Sequence, residues 1–151
     1  MRPLAVIGNV NVDLIVGPVA PWPKAGTETV VDHDDLRVGG QAGNTALAWQ
    51  ALGIDFEIAA NLGDDQFGRW LREAFGARAA KWPVRPEGTT LSVGMTHPDG
   101  ERTFFTTRGQ RGTGLGLSLA QEFVQQHGGV VEFDSREGHT EFRMILPLES
   151  V

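Results

Sequence analysis

The chain has 151 residues, of which 40% are apolar, and this is enough for one domain with its own hydrophobic core. Its net charge of -6 and the lack of a basic stretch argue against a nucleic-acid-binding protein. It contains no cysteine, which excludes disulfides, and its scattered histidines, His33, His97, His127 and His139, predict no metal site. No apolar run approaches the roughly 20 residues that span a bilayer, so we expect a cytoplasmic protein without membrane contact.

The first elements predict a parallel sheet. Residues 4–8 form a short apolar run ended by glycine, which is typical of a strand buried on both faces. Asn11 and Asp13 follow, so we expect their side chains just past the carboxyl end of that strand, where open α/β sheets bind their ligands. The segment 27–38 mixes β-branched and acidic residues and predicts exposed strands.

Two helices, with a second buried strand between them, are expected next. The glycine-rich stretch 39–45 opens the first helix, and 57–62 is the strand. Asp64 or Asp65 caps the second helix. This order of elements favours a βαβ arrangement with a right-handed crossover. The glycines expected to end the two helices are Gly53 and Gly76.

A hairpin is predicted around Pro98-Asp99-Gly100, because proline fixes φ and glycine accepts a positive φ. Its strands are expected over 89–96 and 102–107. A third helix should end at His127, and a last antiparallel pair of strands should follow over 130–134 and 140–146. The apolar face of that helix consists of Leu117, Ala120, Phe123 and Val124.

Four sequence motifs occur in the order VIGNVNVD, VGGQAGNTALAWQALG, NLGDDQFG and a TTLSVGM…DGERTFF hairpin. With them, residues 4–108 resemble the amino-terminal part of the ribokinase-like, or PfkB, carbohydrate kinases. The resemblance implies a partial βαβ sheet with a lid hairpin that covers a sugar. It implies that Asp13 binds the sugar hydroxyls with Asn11 beside it, that Gly39 and Gly40 let substrate approach the backbone, and that Asn44 contributes an amide.

Each of these positions also has a simpler interpretation when taken alone. Gly39 and Gly40 are then only the turn before a helix, and Asn44 is a polar residue in its first turn. The catalytic motif of the family, a glycine-rich anion hole followed by an aspartate base, has no counterpart in this sequence. Phosphoryl transfer needs groups that stabilise the moving phosphoryl and orient the hydroxyl. We therefore assign no catalytic residue and expect no sugar-kinase activity from this chain alone.

A second motif, RGTGLGLSLAQEFVQQHGGVVEFDSREGHTEFRMILPL, ends the chain. With the preceding FFTT it makes residues 104–149 resemble the carboxyl-terminal end of the ATP-binding domain of sensor histidine kinases of the nitrogen-regulation type. Closely spaced glycines let backbone N–H groups converge on an anion before a helix amino terminus. The resemblance implies ATP with magnesium as the cofactor. The nucleotide-binding residues would be Gly112, Thr113, Gly114, Leu115, Gly116 and Leu117.

This loop also has the composition of a flexible hinge before a helix, and its binding energy is limited. A helix terminus stabilises an anion by roughly 0.3–1 kcal/mol, and a charge-assisted hydrogen bond adds about 1.5–3 kcal/mol. Micromolar affinity needs about 8 kcal/mol. The motifs that hold metal and adenine in the histidine kinases, and their phosphoacceptor histidine, lie upstream and are not found here. Weak ATP binding is the prediction.

The two resemblances meet inside residues 104–109 and predict two portions, 1–107 and 108–151, in a mixed α/β fold. The first is a truncated ribokinase-like portion, and the second adds a helix and a β-hairpin of the histidine-kinase ATPase type. We expect a kinase-derived chimera without catalysis of its own. The alternatives are an ATP-dependent sugar kinase and a nucleotide- or protein-binding module of two-component signalling. Uncovered sheet surfaces make a homo-oligomer a further expectation.

Overall fold

A computed structural model describes residues 4–110, 116–136 and 139–147, which form a mixed α/β structure as predicted. Its helices are α1 (Gln41–Ala51), α2 (Gln66–Phe75) and α3 (Gly116–Gln126), with a 3-10 helix at Gly76–Ala79. Its strands are β1 (Leu4–Ile7), β2 (Asn11–Gly17), β3 (His33–Gly39), β4 (Phe56–Ala59), β5 (Leu62–Gly63), β6 (Val84–Arg85), β7 (Leu91–Thr96), β8 (Arg102–Thr106), β9 (Val130–Arg136) and β10 (His139–Ile145).

The predicted parallel pairing of the two apolar strands is confirmed. β1 pairs with β4 in parallel, from Leu4 opposite Phe56 to Ile7 opposite Ala59, and α1 packs against both strands. The prediction that β1 is buried on both faces is wrong, since Leu4 is 48% exposed. Within the described residues this sheet contains only β1 and β4, so β1 lacks the neighbours that bury a central strand. Whether such uncovered surfaces pair between copies of the chain stays a prediction.

A four-stranded sheet, which we call the lid, carries the predicted hairpin. Its strand order is β3-β2-β7-β8, with β7 and β8 antiparallel and β2 parallel to β7. Asn11 and Asp13 come after β1 in the chain and lie within a strand of their own, β2, which was not predicted. The backbone of β2 is hydrogen-bonded on both sides, and this pairing outweighs the poor strand propensity of asparagine and aspartate.

The structure confirms the predicted capping aspartate and the two glycines that were expected to end helices. Asp65 caps α2, and its Oδ1 accepts a hydrogen bond from the Gly68 N–H at 2.8 Å. The expected stops, Gly53 and Gly76, both have positive φ, at 67° and 54°. Of the two aspartates left open at this position, the structure therefore selects Asp65.

The main core lies between the β1–β4 sheet, the root of the lid and the first two helices. Trp82 is buried there, and its indole Nε1–H donates to the Ile58 carbonyl at 2.8 Å. A buried indole N–H needs such a partner. The buried apolar residues of this core are Val10, Val12, Val38, Ala42, Ala46, Phe56, Ile58, Ala60, Leu62, Leu71, Phe75, Ala79 and Trp82.

The last elements are the predicted helix and hairpin. β9 and β10 are antiparallel, and α3 packs on β9 and against β1 and β4. Ala120 and Val124 are buried on the inner face of α3 as expected. Leu117 is not, since it is 45% exposed. The packing partners of α3 in the described residues therefore cover only part of its apolar face.

Two further features follow from the described part of the chain. No helix in it is long and apolar enough to cross a membrane. In the same residues, no group of three or more histidine, aspartate or glutamate side chains is arranged to hold a metal ion.

Candidate substrate site

A chain of polar side chains runs along the first residues of β2 and joins most of the predicted sugar-binding residues. The Asn9 amide donates to Asn11 Oδ1 at 3.1 Å, and the Asn11 amide donates to Asp13 Oδ1 at 2.6 Å. Asn11 is 3% exposed, so its amide is held in one orientation by its surroundings. The Asp13 carboxylate is therefore positioned by a buried donor, and it has further acceptor positions beyond this one hydrogen bond.

The two glycines at the end of β3 lie directly against this polar chain. Asn11 stands opposite Gly39 in the β2–β3 register. A Cβ atom on Gly39 would overlap the Asp13 carboxylate, and one on Gly40 would overlap the Asn9 carbonyl oxygen. Gly40 also has φ 82°, which disfavours any other residue. Both glycines are thus required for the backbone to approach the polar chain. The family resemblance had explained them by the approach of substrate to the backbone.

Asn44 is less closely involved than the other predicted residues. It is exposed in the first turn of α1, and its backbone N–H donates to the Gly40 carbonyl at 2.9 Å. The structure therefore brings together Asn11, Asp13, Gly39 and Gly40, with Asn44 one turn away. The proposed amide contact of Asn44 with a ligand stays a prediction.

A row of hydroxyl groups beside Asp13 was missed in the sequence. Ser92 of β7 stands opposite Asp13, and Thr106 of β8 stands opposite Ser92. The two hydroxyl oxygens are 3.0 Å apart. Residues directly opposite in a sheet share a face, so the carboxylate and both hydroxyls lie on one face of the lid. The sequence shows which residues of one strand point to the same face, because side chains alternate along a strand. It does not show the register between β2, β7 and β8, which places Asp13, Ser92 and Thr106 side by side.

The next row on the same face of the lid is apolar on β2, β7 and β8, whereas β3 contributes Asp35 opposite Ile15. A Cβ atom on Gly94 would lie 2.6 Å from Phe104 Cε1 and 2.8 Å from Ile15 Cδ1, so these two side chains close over the glycine. Phe104 is 50% exposed and stands opposite Gly94. The face that carries Asp13 therefore offers a polar row next to an apolar patch, which is the composition of small-molecule sites.

The predicted nucleotide-binding residues fall mostly outside the described residues. This holds for Gly112, Thr113, Gly114 and Leu115. Gly116 is the first residue of α3, as expected for a loop that leads into a helix amino terminus, and Leu117 follows it. The nucleotide site itself stays a prediction.

A cavity of about 410 Å³ lies between α3 and the β4 side of the sheet. Trp82 and Phe123 contribute apolar surface to it, and Arg78 and Lys81 contribute positive charge. The Arg78 guanidinium lies over the Phe56 ring at 4.3 Å from its centroid. The volume is within the range of ligand pockets. Nothing in the sequence predicted this cavity, because its walls come from both portions of the chain.

The fold of the larger part of the chain resembles ribokinase-like proteins, and the last part of the sequence resembles an ATPase family. Residues 86–150 match the sequence model of the family described as histidine kinase-, DNA gyrase B-, and HSP90-like ATPase. The sensory histidine kinase/phosphatase NtrB of Klebsiella oxytoca is 57% identical over 37 residues, which are 24% of this chain and 11% of that protein.

Solved structures match the larger part of the chain. A microbiome-derived acarbose kinase is 29% identical with a TM-score of 0.62, and the match covers 82% of this chain and 42% of the kinase. Arabidopsis thaliana ribokinase, solved with ribose and ATP, is 26% identical with a TM-score of 0.58 over 71% of this chain and 36% of the ribokinase. Both resemblances read from the sequence are thereby confirmed. The chain spans about a tenth of the histidine kinase and less than half of either sugar kinase.

Proposed function

We propose that the ribokinase-like portion binds a small sugar in the cytoplasm on the face of the lid that carries Asn11 and Asp13, and does not phosphorylate it without another chain. The observation that carries the proposal is the buried Asn11 amide, which orients the Asp13 carboxylate at 2.6 Å. A carboxylate held in this way accepts hydrogen bonds from two neighbouring hydroxyls, which is the pattern a sugar presents. The comparison with a ribokinase solved with ribose supports the same ligand class.

The lid supports the choice of a sugar over a simple polyol or anion. Ser92 and Thr106 add hydroxyl groups on the Asp13 side, and Phe104 adds an apolar surface against which the C–H face of a sugar ring packs. Arg37 stands opposite Asp13 on this face and is ion-paired with Asp35 at 2.6 Å, so the three side chains together carry a net negative charge, which disfavours an anionic ligand. The ligand of this site is accordingly a neutral, polyhydroxylated ring.

The phosphate donor is the second part of the proposal. The match to an ATPase family and the ribokinase solved with ATP support ATP with magnesium as the nucleotide, bound through the stretch 112–117. The sequence has no glycine-rich anion hole followed by an aspartate base, so we propose that ATP turnover requires residues from elsewhere. We also propose that residues 1–107 and 108–151 act as separate portions in substrate and nucleotide binding.

A second function is favoured by the cavity beneath α3. Its walls combine apolar side chains with Arg78, Lys81 and Glu122, and it lies between the two portions. A signalling module that docks on a partner through the histidine-kinase-type segment would have its contacts there. This alternative predicts nucleotide or protein binding that is indifferent to sugars.

Calorimetric titration with D-ribose and D-fructose tests the proposal. Asp13→Asn keeps the acceptor for the Asn11 amide and removes the charge, so sugar affinity should fall at least about 10-fold. Asp34→Asn is the matched control, because Asp34 lies on β3 with its side chain on the opposite face of the lid. No binding of either sugar by the wild type, or equal binding by Asp13→Asn, would contradict the proposal. Sugar-dependent ATP turnover by the chain alone would establish the kinase alternative instead.

A further inference from the structure

A buried glutamine connects two strands that carry the candidate site. Gln110 is 1% exposed although it lies outside the strands of the lid, between β8 and α3. Its Nε2 donates to the Val10 carbonyl at 3.1 Å, across 100 positions of sequence. Its Oε1 accepts a hydrogen bond from the Thr90 N–H. One side chain thereby joins the residue before Asn11 to the root of β7.

The same threonine holds the residue on the other side of Asn11. The Thr90 carbonyl accepts a hydrogen bond from the Val12 N–H at 3.1 Å. Val10 and Val12 are both fully buried, so neither has water as an alternative partner. The backbone on each side of Asn11 is therefore attached to the pair formed by Gln110 and Thr90, and these contacts leave Asn11 little freedom to shift along or across β2.

We propose that Gln110 is a positioning residue for the candidate sugar site, because its buried amide fixes the backbone around Asn11 and thereby the Asp13 carboxylate that Asn11 holds. This inference rests on the proposed sugar binding. Asn11 contacts Asp13 at 2.6 Å, so a movement of the Val10–Asn11 backbone changes the orientation of the carboxylate directly. In this proposal Gln110 acts on the Asp13 carboxylate through Asn11 and not by contact with the sugar.

An amide is the group that this position requires. It must donate to one backbone carbonyl and accept from one backbone N–H at the same time, and a glutamine side chain does both. Gln110→Met keeps the length of the side chain and removes both hydrogen bonds. Gln110→Glu keeps the acceptor for Thr90 and removes the donor to Val10. The two variants therefore separate general loss of the contacts from loss of the Val10 bond alone.

The control is Trp82→Phe, which removes one buried side-chain hydrogen bond to the Ile58 carbonyl beneath α3. It weakens the fold without touching the contacts around Asn11. Two quantities are measured at equal fractions of folded protein: the affinity for D-ribose and D-fructose, and the hydrogen exchange of the Asn11 side-chain amide by NMR. We expect Gln110→Met to weaken sugar binding at least 10-fold and to speed Asn11 amide exchange at least 10-fold. Trp82→Phe should change either quantity less than 2-fold.

The outcomes separate this inference from the proposed function. If the wild type binds sugar and Asp13→Asn does not, while Gln110→Met and Trp82→Phe behave alike, the positioning role is wrong and sugar binding stands. If the wild type binds neither sugar, the proposed function is wrong, and the Asn11 exchange rate alone decides the role of Gln110. If Gln110→Met does not fold, Gln110→Glu carries the same comparison, and unchanged Asn11 exchange in that variant overturns the inference.

Discussion

The imidazole of His127 joins α3 to β4, with its Nε2 2.9 Å from Glu57 Oε2 across 70 positions of sequence. Its Nδ1 lies 2.8 Å from the Phe123 carbonyl oxygen. Both neighbours are acceptors, so the ring satisfies both contacts when each nitrogen carries a proton. The histidine-kinase-type segment is thus attached to the ribokinase-like sheet by a polar contact in addition to the packing of α3.

A double-mutant cycle with His127→Ala and Glu57→Ala measures the strength of this attachment. The two side chains are 39% and 47% exposed, so we expect a coupling free energy of about 0.2–1 kcal/mol that decreases as salt is added. Urea unfolding of the four proteins gives the value. A parallel cycle of His127→Ala with Glu122→Ala, which also lines the cavity, should show a smaller coupling. A coupling of zero for His127 and Glu57 at low salt would mean that packing alone holds α3 in place.

Gly40→Ala should destabilise the protein more than an alanine at another glycine of positive φ. Gly40 has φ 82° and ψ 156°, a region that is essentially restricted to glycine, and the new Cβ would overlap the Asn9 carbonyl. We expect a loss of about 2–4 kcal/mol in the free energy of unfolding. Gly53→Ala is the control, since Gly53 has φ 67° with no atom within 4 Å of its Cβ position. Its loss should be about 1–2 kcal/mol. Equal losses would show that the close approach to Asn9 is unimportant.

The carboxyl group of Asp65 should make stability depend on acid pH. Partial burial by itself raises its pKa, but hydrogen bonds from the Thr89 side chain and the N–H groups of Gly68, Thr89 and Phe67 outweigh this and lower the pKa below the usual aspartate value. A lowered pKa in the folded state stabilises the fold above the pKa of the unfolded chain, near 3.8. That stabilisation is lost as the pH falls from there through the folded value.

Urea unfolding between pH 5 and pH 2 tests this dependence. Asp65→Asn keeps one acceptor oxygen, removes the titration and should lower stability at pH 5 by about 1–2 kcal/mol, with a flatter decline towards acid. Asp64→Asn, at the exposed neighbouring position, should leave the decline as in the wild type. Parallel acid declines in Asp65→Asn and the wild type would contradict the assignment to Asp65.

The neighbouring aromatic residues Phe104 and Phe105 should differ in their effect on sugar binding. They lie on opposite faces of β8, and Phe104 closes over Gly94 on the face that carries Asp13. Phe104→Ala should weaken sugar binding about 5-fold, because roughly 1 kcal/mol of apolar contact is lost. Phe105→Ala should leave the sugar affinity unchanged. Calorimetric titration of both variants with the same sugar measures the two affinities. A larger effect at Phe105 would place the ligand on the other face of the lid.

The elements that were predicted correctly are those that depend on residues close together in the sequence. Asp65 caps α2 through the N–H three residues later, and Gly100, at φ 90°, closes the turn between β7 and β8. Each of these contacts joins residues only a few positions apart, so short residue patterns indicate it. The site was predicted in part for the same reason, since Asn11 and Asp13 are two residues apart on one strand and contact each other locally.

The errors arose where a contact partner is distant in sequence. The burial of Leu4 and Leu117 was overestimated because apolar character indicates a tendency to be buried, whereas the size of the neighbouring sheet decides the outcome. Ser92 and Phe104 were missed because their position beside Asp13 depends on the register of β2, β7 and β8.

The amino-acid sequence by itself determined the helix ends, the hairpin turn, both family resemblances and the polar character of the strand that begins at Asn11, since these depend on residue types and short spacings. The tertiary structure alone decided that β2 lies between β3 and β7 and that Gln110 is buried against Val10. The physical reason is that an unpaired buried backbone group is costly, and the partner that satisfies it is set by the path of the whole chain. In this protein the residues that hold the candidate site in shape therefore come from both predicted portions, since Gln110 lies within residues 108–151.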